Sequence, residues 1–178
     1  MKKLLVGGLV GGLILFIWQF LSYGLLDLHY TQMAYTPAQE EIMEVLEAQN
    51  LEDGEYYMMR APKGDQVKQN QLMEDRKGLP WAMIQYHNNL EHPFASNAIR
   101  AFVMNTIAVL ILCWIMMQFA EITMRSAIAT AIGAGAITYC TAHYLDAIWF
   151  SSNSLPDLID AVVPWILIGG WLGWWLRR

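Results

Sequence analysis

The run LLVGGLVGGLILFIWQFLSYGLL, Leu4 to Leu26, carries no charged residue. It is long enough to cross a bilayer, since a helical span needs about 20 mostly apolar residues. Three more apolar stretches follow it: Ala98–Ala120, Ser126–Phe150 and Leu158–Leu176. One apolar run of about 18 residues is already a candidate span. Four in a chain of 178 residues predict an all-α integral membrane protein, a four-transmembrane-helix bundle whose first partner is the lipid bilayer.

Composition points the same way. Charged residues make up 15% of the chain, against roughly 25% in an average soluble domain. Eight Trp and eight Tyr suit two membrane–water interfaces, where amphipathic rings settle. No basic patch with interleaved aromatics occurs, which argues against nucleic acid as a partner. Cys113 and Cys140 both fall inside predicted spans and read as small buried hydrophobes. Neither belongs to a CxxC or a Cys/His zinc spacing. The start, Met1-Lys2-Lys3 before an apolar run, imitates a secretory signal. The run exceeds the roughly 7–15 residues of a signal core, so it is read as a retained span.

Basic residues set the expected orientation. Lys2 and Lys3 precede the first span, Arg125 follows the second, and Arg177 and Arg178 follow the fourth, while 151–157 has no Lys or Arg. The positive-inside rule then puts both ends of the bundle in the cytoplasm, N-in/C-in. Residues 27–97 and 151–157 fall outside. The 27–97 segment has five basic residues but twelve acids, and long segments translocate largely regardless of charge. The expected setting is a bacterial inner (plasma) membrane.

The 27–97 segment reads as a small extracytoplasmic α+β insert. Thr36-Pro37-Ala38-Gln39 is a helix start with the elements of a capping box. An amphipathic helix of about three and a half turns should follow, with Ile42, Val45 and Leu46 on one face and Glu40, Glu41, Glu44 and Glu47 mostly on the other. Asn50 and Asp53-Gly54 should end it. Glu55–Arg60 and Trp81–His87 read as antiparallel strands, with a short helix near Val67–Asp75 between them. An insert of about 70 residues is marginal on its own.

Inside the spans, small and polar residues ask for reasons. Gly7, Gly8, Gly11 and Gly12 make two overlapping GxxxG patterns, and Gly169 and Gly173 make another. Such residues let helices approach closely in lipid, so spans one and four could pair through them, or the same faces could join two copies. Gln19 and Asn105 read as interhelical hydrogen-bonding residues. Glu121 and Arg125, four apart, read as a surface ion pair.

The outer boundary gathers the most chemistry. His143 and Asp146 are three apart near the end of span three, and Asp157 and Asp160 are three apart at the start of span four. Asp27 and His29 follow span one, His87 and His92 lie in the insert, and Arg100 opens span two. His143, Asp146, Asp157 and Asp160 form the candidate site for a divalent metal or a proton relay, with His29 or His92 as a further ligand. The structural alternative is stronger. Asp157 and Asp160 sit where acids stabilise a helix N-terminus, Arg100 could pair with them, and no ligand motif such as HExxH is present.

No P-loop, GxGxxG, GxSxG or internal repeat occurs, so nucleotide chemistry and inverted-repeat transport are disfavoured. No resident cofactor is implied. The leading expectation is a non-enzymatic accessory or assembly subunit, acting on another membrane protein or as a homo-oligomer. The alternative is a metal-dependent membrane enzyme or a metal or proton transporter built on the outer His/Asp cluster.

Overall fold

The computed structural model describes residues 1–91 and 93–178. It is mostly helical and divides into two units, 1–34 with 93–178, and 35–92.

The first unit begins with α1 (Lys2–Phe20), which runs into a π turn at Leu21–Leu25 and then a 3₁₀ turn at Leu28–Thr31. Among the described residues, three helical segments are long and apolar enough to cross a membrane: Lys2–Leu25, Phe94–Met116 and Leu155–Trp175.

The second unit is small. It holds α2 (Gln39–Glu47), β1 (Gly54–Tyr57), α3 (Gln66–Asp75) and β2 (Met83–Tyr86). The strands pair antiparallel, with Gly54 opposite Tyr86 and Tyr57 opposite Met83. Helix α2 is shorter than its sequence suggests. Thr36 Oγ1 accepts from Ala38 N at 3.4 Å instead of closing a capping box, so the helix starts only at Gln39. Asn50 adopts φ +51° after it, a conformation Asn tolerates better than most residues. Asp65 caps α3 by accepting from Lys68 N at 2.9 Å.

Asp53 clamps the ends of the ribbon. One oxygen accepts from both Asn88 N and Asn88 Nδ2 at 2.9 Å, and His87 lies 3.8 Å from the other. The Asn88 backbone N–H holds the Asp53 carboxyl below the usual aspartate range, helped by the Asn88 side chain and by His87. A depressed carboxylate stabilises the folded form above its ordinary value, about 4, and loses that contribution as pH falls through the lowered value. We therefore expect the Asn88 amide signal to shift towards an unclamped position as pH falls below about 4. Asp53→Asn should flatten that response in an amide-resolved NMR titration.

The first unit continues with α4 (Phe94–Met116), α5 (Met124–Thr138), α6 (Tyr144–Phe150) and α7 (Leu155–Trp175). A π turn at Tyr139–His143 joins α5 to α6, so the third apolar stretch is helical but not one regular α-helix. Thr123 and Ser126 form a reciprocal capping box that starts α5. Glu121 and Arg125 form no ion pair among the described residues. Arg125 instead lies in the first turn of α5.

Helix α1 packs on α4 and α7, and α7 packs on α5. Val109, Cys113 and Met116 of α4 and Ile168 and Leu172 of α7 are completely buried between them. The glycine faces of α1 and α7 do not meet each other. A Cβ on Gly12 would lie 2.6 Å from Thr106 Cα, and one on Gly8 would overlap Leu110, so this face seats α4. Gly11 meets Val109 of α4 and Trp171 of α7, and Gly7 meets Cys113 of α4 and Leu172 of α7. On α7, a Cβ on Gly169 would lie 2.7 Å from Ile128 Cα and one on Gly173 2.9 Å from Ala127 Cβ, so this face seats α5. The α1–α7 contact is made mainly by larger side chains. Trp171 Nε1 donates to Gly7 O at 3.1 Å, Trp175 Nε1 to Lys3 O at 2.8 Å, and Lys3 Nζ to Leu176 O at 3.2 Å. Deeper in, Asn105 Nδ2 donates to Gln19 Oε1 at 2.6 Å, the interhelical bond expected of these two residues. Cys113 is buried, Cys140 is exposed, and both are unbridged.

Candidate functional site

Trp18 of α1 and Ser22 of the π turn that continues it are four residues apart. Both reach α7, where Trp18 Nε1 donates to Asp160 Oδ1 at 2.9 Å and Ser22 Oγ donates to the same oxygen at 2.8 Å. The chain then turns back. Asp27 takes φ +48°, which starts the 3₁₀ turn and brings His29 under the bundle rim. His29 is 2% exposed, stacks on Tyr23 with centroids 3.8 Å apart, and lies 3.0 Å from Asp160 Oδ2 through Nε2.

The network continues from the other ring nitrogen. His29 Nδ1 lies 2.6 Å from Gln32 Oε1. Gln32 Nε2 donates to Asp157 Oδ2 at 2.6 Å and to Asn153 O at 2.7 Å. Asn153 Nδ2 donates to Thr31 Oγ1 at 3.0 Å. His143 Nδ1 lies 3.3 Å from Asp157 Oδ1. A single chain of contacts therefore runs from Asp160 through His29 and Gln32 to Asp157 and His143. It ties the exit of α1 to the start of α7 and to the π turn after α5.

Donor and acceptor counting fixes one of the protons. The Gln32 amide nitrogen faces two acceptors, so its oxygen faces His29 Nδ1, which must carry hydrogen. The other ring nitrogen faces a carboxylate oxygen. Either both ring nitrogens are protonated beside a charged Asp160, or the ring is neutral and Asp160 holds the second proton. The pair is net neutral in both cases.

Of the four candidate ligands read from the sequence, the structure brings together three. Asp157, Asp160 and His143 belong to the network, whereas Asp146 is exposed on α6 and outside it. Residues three apart on a helix differ by about 60° in direction, enough for His143 to face α7 while Asp146 faces away. Arg100 forms no ion pair among the described residues. His92 lies outside the described residues. No group of three or more His, Cys, Asp or Glu side chains comes together as a metal site among the described residues. The Asp160–His29 and Asp157–His143 pairs are instead bridged by the Gln32 amide.

A cavity of about 180 Å³ opens beside the network, between α1, α5 and α7. Its walls include Trp18, Tyr23 and Trp165 together with His143, Asp157 and Asp160. No protein-family model, curated protein or solved structure matches this chain.

Proposed function

We propose that the chain is a four-span protein of a bacterial inner membrane, N-in/C-in, with residues 27–97 outside, and that it works without catalysis as an accessory or assembly subunit. In this reading the stretch through α5 and α6 is the fourth span, its π turn absorbing the polar residues near the outer boundary. The contacts from Lys3 to Leu176 and from Trp175 to Lys3 support an even number of crossings, because they put the start of α1 beside the end of α7. From Lys3 to Ser22 is 19 residues, or roughly 28 Å of helix, close to one hydrocarbon thickness. The Asp160 network then lies at the outer boundary.

The observation that carries the subunit reading is α2. Its apolar residues Ile42, Met43 and Val45 are exposed, no residue of the helix is buried, and Glu40, Glu41, Glu44 and Glu47 surround that stripe with negative charge. An amphipathic helix gains stability in water chiefly by covering its apolar face. A membrane-anchored partner with an apolar groove rimmed by basic residues, or a second copy, would do so. The test is size-exclusion light scattering and affinity capture from native membranes in mild detergent. A stoichiometric complex is expected, and Val45→Glu should reduce it at least tenfold. A wild-type protein that stays monomeric and partner-free at every concentration overturns the reading.

A second reading is favoured by the buried His29–Asp160 contact: proton handling at the outer boundary, as intramembrane ionisable groups often serve. A proton-coupled activity that survives both His29→Ala and Asp160→Asn would remove it.

A further inference from the structure

The cavity beside the network has wall chemistry that the network does not use. Asp160 is balanced by His29, since the pair shares one net-neutral set of protons. Asp157 accepts from the neutral Gln32 amide at one oxygen, and the half-exposed His143 ring lies 3.3 Å from the other through Nδ1. No Lys or Arg is among the residues lining the cavity. The Asp157 side chain on this wall is only 13% exposed. A carboxylate so enclosed is costly without a counter-charge.

The space in front of it favours a particular kind of counter-charge. Trp18, Tyr23 and Trp165 line the same cavity, and aromatic faces attract cations through their ring quadrupoles. A hard metal ion would need several oxygen ligands, and no three His, Cys, Asp or Glu side chains come together for one among the described residues. An organic ammonium needs only one carboxylate and apolar or aromatic walls. A cavity of 180 Å³ holds on the order of six waters at about 30 Å³ each, which matches a tetramethylammonium or ethanolammonium group.

We propose that this cavity binds a small organic ammonium group, with its nitrogen at Asp157 and its carbon surface against Trp18, Tyr23 and Trp165. The group comes from a soluble amine or from the headgroup of an ethanolamine lipid. The two sources share the same recognition chemistry. The proposal does not depend on the subunit reading.

The test uses the full-length protein in dodecyl maltoside and phosphate buffer at pH 8. Tetramethylammonium chloride and ethanolamine are titrated at constant ionic strength against tryptophan fluorescence and by calorimetry. Saturable binding is expected, weakened at least tenfold by Asp157→Asn and at least threefold by Trp165→Leu. Asp146→Asn, on the exposed side of α6, should bind like wild type and serves as the folded control. No saturable binding to the wild type, equal binding by Asp157→Asn, or equal displacement by sodium overturns the proposal. Repeating the titration in nanodiscs with and without ethanolamine lipid names the source. Weaker amine binding in the ethanolamine discs assigns the headgroup, and unchanged binding assigns a soluble amine.

Discussion

Asp160→Ala should destabilise the bundle by about 3–5 kcal/mol, the scale for removing one partner of a buried charged pair. The reason is the number of groups that depend on this carboxylate. Trp18, Ser22 and His29 all meet it, Ser22 is fully buried and His29 nearly so. Without it, two donors and one ring nitrogen from the first helix and its exit lose their partner, each costing roughly 1–3 kcal/mol. Asp160→Asn should be milder, about 1–2 kcal/mol by the same reasoning. The amide keeps an oxygen for Trp18 and Ser22 and turns its NH₂ to a neutral His29. Thermal unfolding in mild detergent, followed by tryptophan fluorescence, separates the two. If Asp160→Ala melts together with wild type, the network does not hold α1 to α7.

The second large effect is expected at Gly135. A Cβ there would run into the carbonyl oxygen of Ala161 and sit 2.6 Å from Trp165 Cδ1. The first of these atoms is backbone and cannot rotate away, so even Gly135→Ala must push α5 off α7. Overpacking of this kind costs about 1–3 kcal/mol, occasionally more, and Gly135→Val should lie at or beyond the upper end. Gly133 is two residues away on the same helix and has nothing within 4 Å of a built Cβ. Gly133→Ala should therefore be neutral or stabilising by up to about 1 kcal/mol, the helix preference of Ala over Gly. The comparison is internal, because the helix and the substitution are the same and only the neighbour differs. Equal melting temperatures for the two alanine variants would show that α5 and α7 do not approach at Gly135.

Gly135 also marks what the sequence could and could not convey. Hydropathy is a sum over many residues, so the long apolar helices α1, α4 and α7 were legible, with their ends displaced by a few residues. The third stretch was legible as apolar and helical. Its π turn was not, because no Pro or Gly at 139–143 announces it. GxxxG patterns identified close-packing faces but not their partners, since a pattern on one helix carries no address. Gly135 has no glycine four residues before or after it and so escaped notice.

The site was partly readable for the same reason. Asp157 and Asp160 stand out because ionisable residues near a span boundary are few. Their partners do not stand out. Gln32, Thr31 and Asn153 are ordinary loop residues until the 3₁₀ turn folds back against the start of α7. Trp18 and Ser22 are four apart in a helical stretch that also offers many exposed apolar residues. The signal that would have found them is their spacing on the same turn-to-turn face as the end of the span. His29 was visible only as a supplementary ligand, and the structure makes it central.

The contact between α1 and α7 joins the first helix to the last, across 142 positions for Trp18 and Asp160 and 172 for Lys3 and Trp175. During synthesis, α1 can pair with α4 as soon as α4 emerges, and chains generally acquire structure from the N-terminal side first. Until α7 is in place, however, Trp18, Ser22 and His29 Nε2 lack the Asp160 carboxylate they meet in the finished fold. The half-built protein thus displays polar groups without their Asp160 partner, and completion of the chain supplies it. A truncated or stalled product is chemically distinguishable from the finished one by those groups alone, which would give membrane quality control a feature to read.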